Sequence, residues 1–397
     1  MKRMKRIAGC FLVALLTLLN TGCEKTVLKD LEVQDLTKIC PSPSRFENTK
    51  SWSEMTHGIN NFAYDLFGKV YGESDIFISP FSVSLALSMV TTGASSNTEA
   101  QLLKSLGFEG KTTQELDAYY SEVLKNMLTI DPTSTVSIAN AIWSDRNLAM
   151  KPDFVNECSK YFDSAAESVD FSNPTTLDIL NGWVSDHTAG KIDRMFDELP
   201  DGVSAVLANA LYFQATWPFE FTRSGNRMLA KVRTSYFYGD GYSGIELPYG
   251  NGSFAMRVIL PSKGVPVTDV AGKLKNGYDG IEEAVVSLSM PVFSFSYDIG
   301  LVDALKSLGV VDAFSSAADF SKMSDQPLMI GDVLHKTFVK VDEKGTEAAA
   351  LTAVKMFTSS GRIFIPRNID FKVDRDFLFE IVDRSSNLTV FIGQHKM

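Results

Sequence analysis

The sequence predicts one α+β domain of about 350 residues, with helices gathered in its first half and strands in its second. Apolar positions recur at helical spacing early in the chain and alternate with period two beyond Trp217, and no repeat or linker divides the two regions. The 397 residues, 45% of them hydrophobic, suffice for one large core.

A leader precedes the domain. Lys2, Arg3, Lys5 and Arg6 run into the apolar stretch Phe11 to Leu19 and then Gly22-Cys23, the layout of a secretory signal over residues 1–23. The apolar run is shorter than the roughly 20 residues of a membrane span. Gly-Cys at its end resembles a bacterial lipoprotein processing site, which would place a lipid on Cys23 and the protein in the bacterial cell envelope; ordinary cleavage and secretion is the alternative. Residues 24–47 are polar with little periodicity and read as a tether. Residues 48–397 form the domain.

Within the domain, Ile59, Phe62, Ala63, Leu66, Phe67 and Val70 share one helical face. "DIFISPFSVSLALSMVTTGA" begins as a strand and turns into a buried helix at Pro80, where a missing N–H is harmless. "SNTE", Ser96 to Glu99, reads as a capping box ahead of Leu102, Leu103 and Leu106, with Gly107 as the stop. Strand, helix, strand and helix then follow at "TVSIANAIWSD", "DFVNECSKYF", "AAESVDF" and "TTLDILNGWVSDHT", and "SAVLANALYF" is a long strand. Phe254, Met256, Val258 and Leu260 alternate with other residues, as do Val286, Leu288 and Met290, and Phe293, Phe295 and Tyr297; these are half-buried antiparallel strands.

Several function classes lose support. The net charge of −10 is spread along the chain, so there is no electrostatic footprint for nucleic acid. His57, His187, His335 and His395 are scattered singly, and H-E-x-x-H, C-x-x-C and G-x-S-x-G do not occur, so neither a metal nor a cofactor is expected. "GDGYSG" has the spacing of a dinucleotide fingerprint but leads into "IELPYGNGSF" instead of a helix, and reads as a hairpin turn. Beside Cys23, Cys40 and Cys158 remain after the leader; they make no disulfide framework and are expected to be free.

"DEKGTEAAALTAVKMFTSSGR", Asp342 to Arg362, has conflicting preferences: its alanines favour helix, while Thr, Val and Phe favour strand. As a strand it would put Thr346, Ala348, Ala350, Thr352, Val354, Met356 and Thr358 on one face. Glu347, Ala349, Leu351, Ala353, Lys355 and Phe357 share the other, which holds both charges. The first face suits burial and the second solvent.

Five separated motifs resemble the serpin family, in the family's order, from about Asn60 to Gly393. They are "FISPFSVSLALSMVTTGASSNTEAQLLKSLGF", "LNGWVSDHTAGKIDRMF", "LANALYFQATWPFEF", "HKTFVKVDEKGTEAAALTAV" and "FLFEIVDRSSNLTVFIGQ". The resemblance implies a serpin fold: a single domain with a large central β-sheet, further sheets, about eight to nine helices and an exposed reactive-centre loop. It implies a monomer acting as a suicide inhibitor of serine proteases, and of cysteine proteases through some loop bonds; the alternative is a non-inhibitory serpin-fold binding protein.

The hinge implied is Glu343, Gly345, Thr346, Glu347, Ala348, Ala349 and Ala350, with Thr346 exposed in the intact loop and first to pass into the sheet. Ser79, Ser82, Asn209 and His335 match the shutter beneath the opening strands, and Trp217 the breach where the hinge passes in. Family spacing from Glu343 puts the reactive bond at Ser359–Ser360. Because the loop is several residues longer than is common, Lys355, Met356, Phe357, Thr358 and Arg362 remain alternatives. None of these residues is catalytic; catalysis belongs to the target.

Overall fold

The computed structural model describes residue 24 and residues 26–41, 50–162, 164–199, 204–346 and 366–397. Two sheets carry the fold. The smaller is built from β1 (Thr135–Asp145), β2 (Ala165–Val169), β3 (Ala205–Thr216), β4 (Phe293–Gly300), β5 (Ile330–Asp342) and the two-residue β6 (Gly345–Thr346). Their spatial order is β4-β5-β6-β3-β1-β2. In the second sheet the C-terminal strands Phe377–Asp383 and Leu388–His395 pair with each other and lie between Phe254–Pro261 and Ile76–Ile78. At its far edge Arg367–Lys372 runs parallel to Gly280–Pro291, which is antiparallel to Arg227–Gly239.

Helix α1 (Lys50–Val70) buries the face read from the sequence, Ile59, Phe62, Ala63, Leu66, Phe67 and Val70. Helix α2 (Pro80–Gly93) starts at Pro80 with Ser79 as its N-cap and is buried at all of its positions. The helix holds five hydroxyls, and the four besides Ser82 would be costly if unpaired. They bond within the helix instead: Ser84 donates to the Phe81 carbonyl and Ser88 to that of Leu85, each at 2.7 Å, Thr91 donates to that of Leu87 at 2.8 Å, and Thr92 to that of Ser88 at 3.1 Å. The strands and helices expected between residues 135 and 216 all form.

Two expectations are corrected. The capping box at Ser96 and Glu99 does not form, although a helix spans Ser96–Ser105. Ser96 donates to Asp319 at 2.7 Å, and Glu99 is taken by Thr113 and Lys322, so both side chains have tertiary partners. A capping box forms instead at Thr112 and Glu115. The free tether at 24–47 is the second correction, for residues 26–41. Gln34–Asp35 is a strand parallel to Val232–Arg233, and Leu36 is buried. Gln34 and the Glu220 backbone exchange two bonds of 2.8 Å. A buried leucine, the Gln34 amide, the Asp35–Arg233 pair and a bond from Arg384 to the Ile39 carbonyl secure this polar segment, a set of single contacts that periodicity does not reveal; residues 42–49 lie outside the described residues.

The "GDGYSG" stretch is a hairpin, Arg227–Gly239 meeting Tyr242–Pro248 through Gly241 at φ +83°. Cys40 is exposed and Cys158 buried, and both are free.

Candidate functional site

The two central strands of the smaller sheet are joined at one end and parted at the other. β3 and β5 run parallel and pair from Ala205 with Ile330 up to Ala210 with Lys336. Past that row the ladder stops. At the far end β6 lies between them, Thr346 opposite Val341 and Ala215, and Gly345 opposite Asp342 and Thr216. Among the described residues, Leu211–Gln214 and Thr337–Lys340 therefore face a gap four rows long with no strand between them.

The mouth of this gap is built around Trp217. Its indole N–H donates to the Asp342 carbonyl at 2.9 Å and its backbone N–H to that of Lys344 at 3.0 Å. The ring stacks on Tyr249 with centroids 4.3 Å apart. The hydroxyls of Tyr249 and Thr346 are hydrogen-bonded at 2.5 Å. Burial pushes the Tyr249 phenol well above its ordinary pKa, so this hydroxyl keeps its proton. Outside the mouth, Glu343 meets Arg223 at 2.8 Å; its own backbone N–H and Arg223 hold its carboxyl below the usual range. The placement of Thr346 corrects one expectation. It is 2% exposed and already inside the sheet, because Gly345 permits a backbone approach that no side chain could share.

Beneath the gap, Asn140, Asn209 and His335 form one row across β1, β3 and β5. All are buried. The Ser79 backbone N–H donates to His335 Nε2 at 2.9 Å, which assigns the proton to Nδ1, and Nδ1–H donates to Asn209 Oδ1 at 2.5 Å. Asn209 Nδ2 donates to Ser82 Oγ and to Asn140 Oδ1, both at 2.5 Å. Ser79 Oγ accepts from the Ser82 N–H at 3.1 Å and donates to the Val390 carbonyl at 2.8 Å. The network thus ties α2 to both parted strands and to the second sheet. Burial depresses the His335 pKa from 6.5 to about 3, so the ring is neutral.

The structure brings Ser79, Ser82, Asn209 and His335 together, and ties Trp217 to the Asp342 and Lys344 carbonyls just before Gly345. Sequence reasoning missed Asn140 and Tyr249. An asparagine between two alanines in the strand "SIANAIW" was a usable signal, since an interior strand position seldom holds an unpaired amide. Tyr249 had none, being one of several hairpin tyrosines. Glu347, Ala348, Ala349, Ala350, every reactive-bond candidate from Lys355 to Arg362, and Cys23 lie outside the described residues.

Two sheets with helices packed on them, the smaller sheet parted at one end among the described residues with Gly345 and Thr346 seated in the opening, define an α+β protein of one domain. Residues 57–396 match the model of the family described as Serpin (serine protease inhibitor). Iripin-3 of Ixodes ricinus is 31% identical over 351 residues, covering 81% of this chain and 88% of that protein. Serpin-Z2A of Triticum aestivum is 33% identical over 361 residues, covering 81% and 89%. The solved structure of the thermophilic serpin tengpin in its native state matches with a TM-score of 0.77 at 29% identity, covering 93% of this chain and 98% of that one. The chain belongs to the serpin family. Family and fold support a function of the protease-inhibitor type in general, and serpins in general target proteases and are not catalytic enzymes.

Proposed function

We propose that this protein is an inhibitory serpin that traps a target protease by drawing its cut loop into the gap between β3 and β5. One observation carries the reading: the gap is four rows long, and four small or hinge-type residues follow Thr346. Continued from β6, the register sets Glu347 against Lys340 and Gln214, Ala348 against Val339 and Phe213, Ala349 against Phe338 and Tyr212, and Ala350 against Thr337 and Leu211. Three alanines in a row meet little steric resistance there. The face that receives Ala348 and Ala350 is buried, with Val339 and Thr337 among its residues, and Glu347 would come beside Lys340 on the outer one.

The next residue, Leu351, meets the closed ladder at Lys336 and Ala210. Insertion therefore has two stages, filling the gap and then parting the ladder, which pulls His335 from Asn209. The protease serine attacks the loop carbonyl, an ester to the serine replaces the peptide bond, and the new amine leaves on the C-terminal piece. About 14 loop residues at about 3.3 Å each then carry the acyl-enzyme nearly 50 Å. Each backbone bond gained is worth only about 1 kcal/mol net, so the drive is the sum of many such bonds and of buried side chains.

Serine proteases are the first targets under this reading, and cysteine proteases follow where Phe357 is cut. The leader and Gly22-Cys23 support a lipid on Cys23 that holds a monomeric inhibitor at the bacterial envelope. The test is incubation of the domain with a protease panel, read as a covalent band under denaturing conditions. If each protease that cuts the loop releases two fragments and stays active, the trapping reading fails and a non-inhibitory binding protein remains.

A further inference from the structure

The first described residue is held tightly on the second sheet. Glu24 is 9% exposed, and its carboxylate lies 3.1 Å from Lys372 Nζ and 3.6 Å from Arg227 Nε, with the Ser289 hydroxyl donating to it at 3.4 Å. Arg227 is fixed in turn by the Ser289 and Val373 carbonyls, each 2.8 Å from Nη2. These partners stand at the end of the strand Arg367–Lys372 and the start of Arg227–Gly239, one corner of the sheet. Beside Glu24 opens a cavity of about 590 Å³, with Leu28 and Phe371 among its apolar lining and Lys29, Lys231 and Lys372 around it against one further acid, Asp370.

We infer that this corner is the surface that docks on the membrane, lipid phosphates meeting Lys29, Lys231 and Lys372 over the cavity beside Glu24. The inference rests on the reading that Cys23 carries lipid. Consecutive Cα atoms are 3.8 Å apart. A lipid on Cys23 is thus one peptide bond from a residue pinned by two cations, and no slack remains to hold the domain away from the bilayer. Lysines around an apolar floor suit the head-group layer, where an anionic surface attracts each nearby lysine with a local gain of about fivefold. The reactive loop rejoins the sheet at Arg367, five strand residues from Lys372 and so about 17 Å from the anchored corner. The inhibitor therefore meets its proteases at the membrane surface, not at the end of a long stalk.

The test uses the chain starting at Cys23 with Cys40→Ser, a maleimide lipid coupled to Cys23, and phosphatidylglycerol vesicles; buried Cys158 stays unlabelled. Lysine acetylation read by mass spectrometry compares the vesicle-bound and free protein. The expected result is labelling slowed about fivefold or more at Lys29, Lys231 and Lys372, with Lys104 and Lys322, on the helix Ser96–Ser105 and the loop that it meets, unchanged. Equal rates at the three lysines on and off vesicles overturn the docking face. Mass analysis of Cys23 in the protein recovered from its own cells tests the anchor separately: an unmodified Cys23 overturns the lipid reading on which the inference rests, whatever the footprint shows.

Discussion

Gly345 is the residue on which the open mouth depends. A Cβ at this position would lie 2.1 Å from the Ala215 carbonyl oxygen and 2.7 Å from Thr216 Cα, and φ is +150°. Both neighbours are backbone, so no rotamer change can relieve the clash. Gly345→Ala should expel β6 and uncover the Trp217–Tyr249 stack, at a cost of about 1–3 kcal/mol. The check is a lower denaturation midpoint together with red-shifted tryptophan fluorescence; if neither moves, the hinge is not seated in solution. His335 gives a second prediction at this scale. Its unfolded imidazole binds a proton near 6.5 and the folded one near 3, so the unfolded state takes up the extra proton as pH falls. The stability it contributes is complete above 6.5 and is lost progressively below, by about 2–3 kcal/mol between pH 7.5 and 4.5. Unfolding free energies from urea titrations at those two pH values should diverge by that amount, and His335→Gln should reduce the divergence. An unchanged divergence in the variant would remove His335 as the source.

Between β3 and β5 the same two strands carry two regimes, a closed ladder and a gap, and loop residues can be ranked by which they meet. Thr346 is seated before any cleavage, so a charge there would disturb the intact protein. Ala348 is the better probe. Insertion in the register continued from β6 would set it against Val339 and Phe213, both buried. Ala348→Arg leaves the reactive bond more than ten residues away untouched, but burying an unpaired charge costs several kcal/mol. Each 1.4 kcal/mol on the insertion barrier slows it about tenfold relative to deacylation. The variant should be cut at the parent's bond and turned over as a substrate, with a stoichiometry of inhibition many times the parent's. A variant that traps protease as efficiently as the parent would sink either the register continued from β6 or insertion itself.

Among the described residues, four rows between β3 and β5 hold no strand, and under the proposed reading the cut loop fills them as an added strand. Nicking the loop near Ser359 should let that strand in. About ten further rows at ~1 kcal/mol each, with roughly 2 °C per kcal/mol for a domain of this size, give a rise in Tm on the order of 20 °C. Calorimetry of nicked and intact protein reads it directly, and a nicked form that melts at or below the intact one would show that no strand is added. The anchor belongs to this scale as well. Cys23→Ala should move the protein from the membrane fraction to the soluble one, and unchanged fractionation would argue against lipid at that position.

Periodicity and punctuation are local, and they determined most of the architecture: the α1 face, the helix beginning at Pro80, the alternating strands after Trp217, and the hairpin at Gly241. The order of five motifs determined the family resemblance and with it the shutter set, since Ser79, Ser82, Asn209 and His335 could be named without knowing that they touch. Tertiary structure alone decided the rest. Whether Ser96 and Glu99 cap their own helix depended on Asp319 and Lys322, more than two hundred residues away. Asn140 joined the hydrogen-bond network of Asn209 and His335 because β1 and β3 align it with Asn209, and Thr346 lies inside the sheet beside Tyr249, 97 residues earlier, which offers its hydroxyl at the mouth. Gln34 and Leu36 turned an apparent tether into a packed strand through partners near Glu220 and Val232. A sequence records what each residue can offer to a neighbour. Which neighbour it meets is fixed by long-range pairing, where the free energy of a contact is realised only after the whole chain has brought both partners to one place.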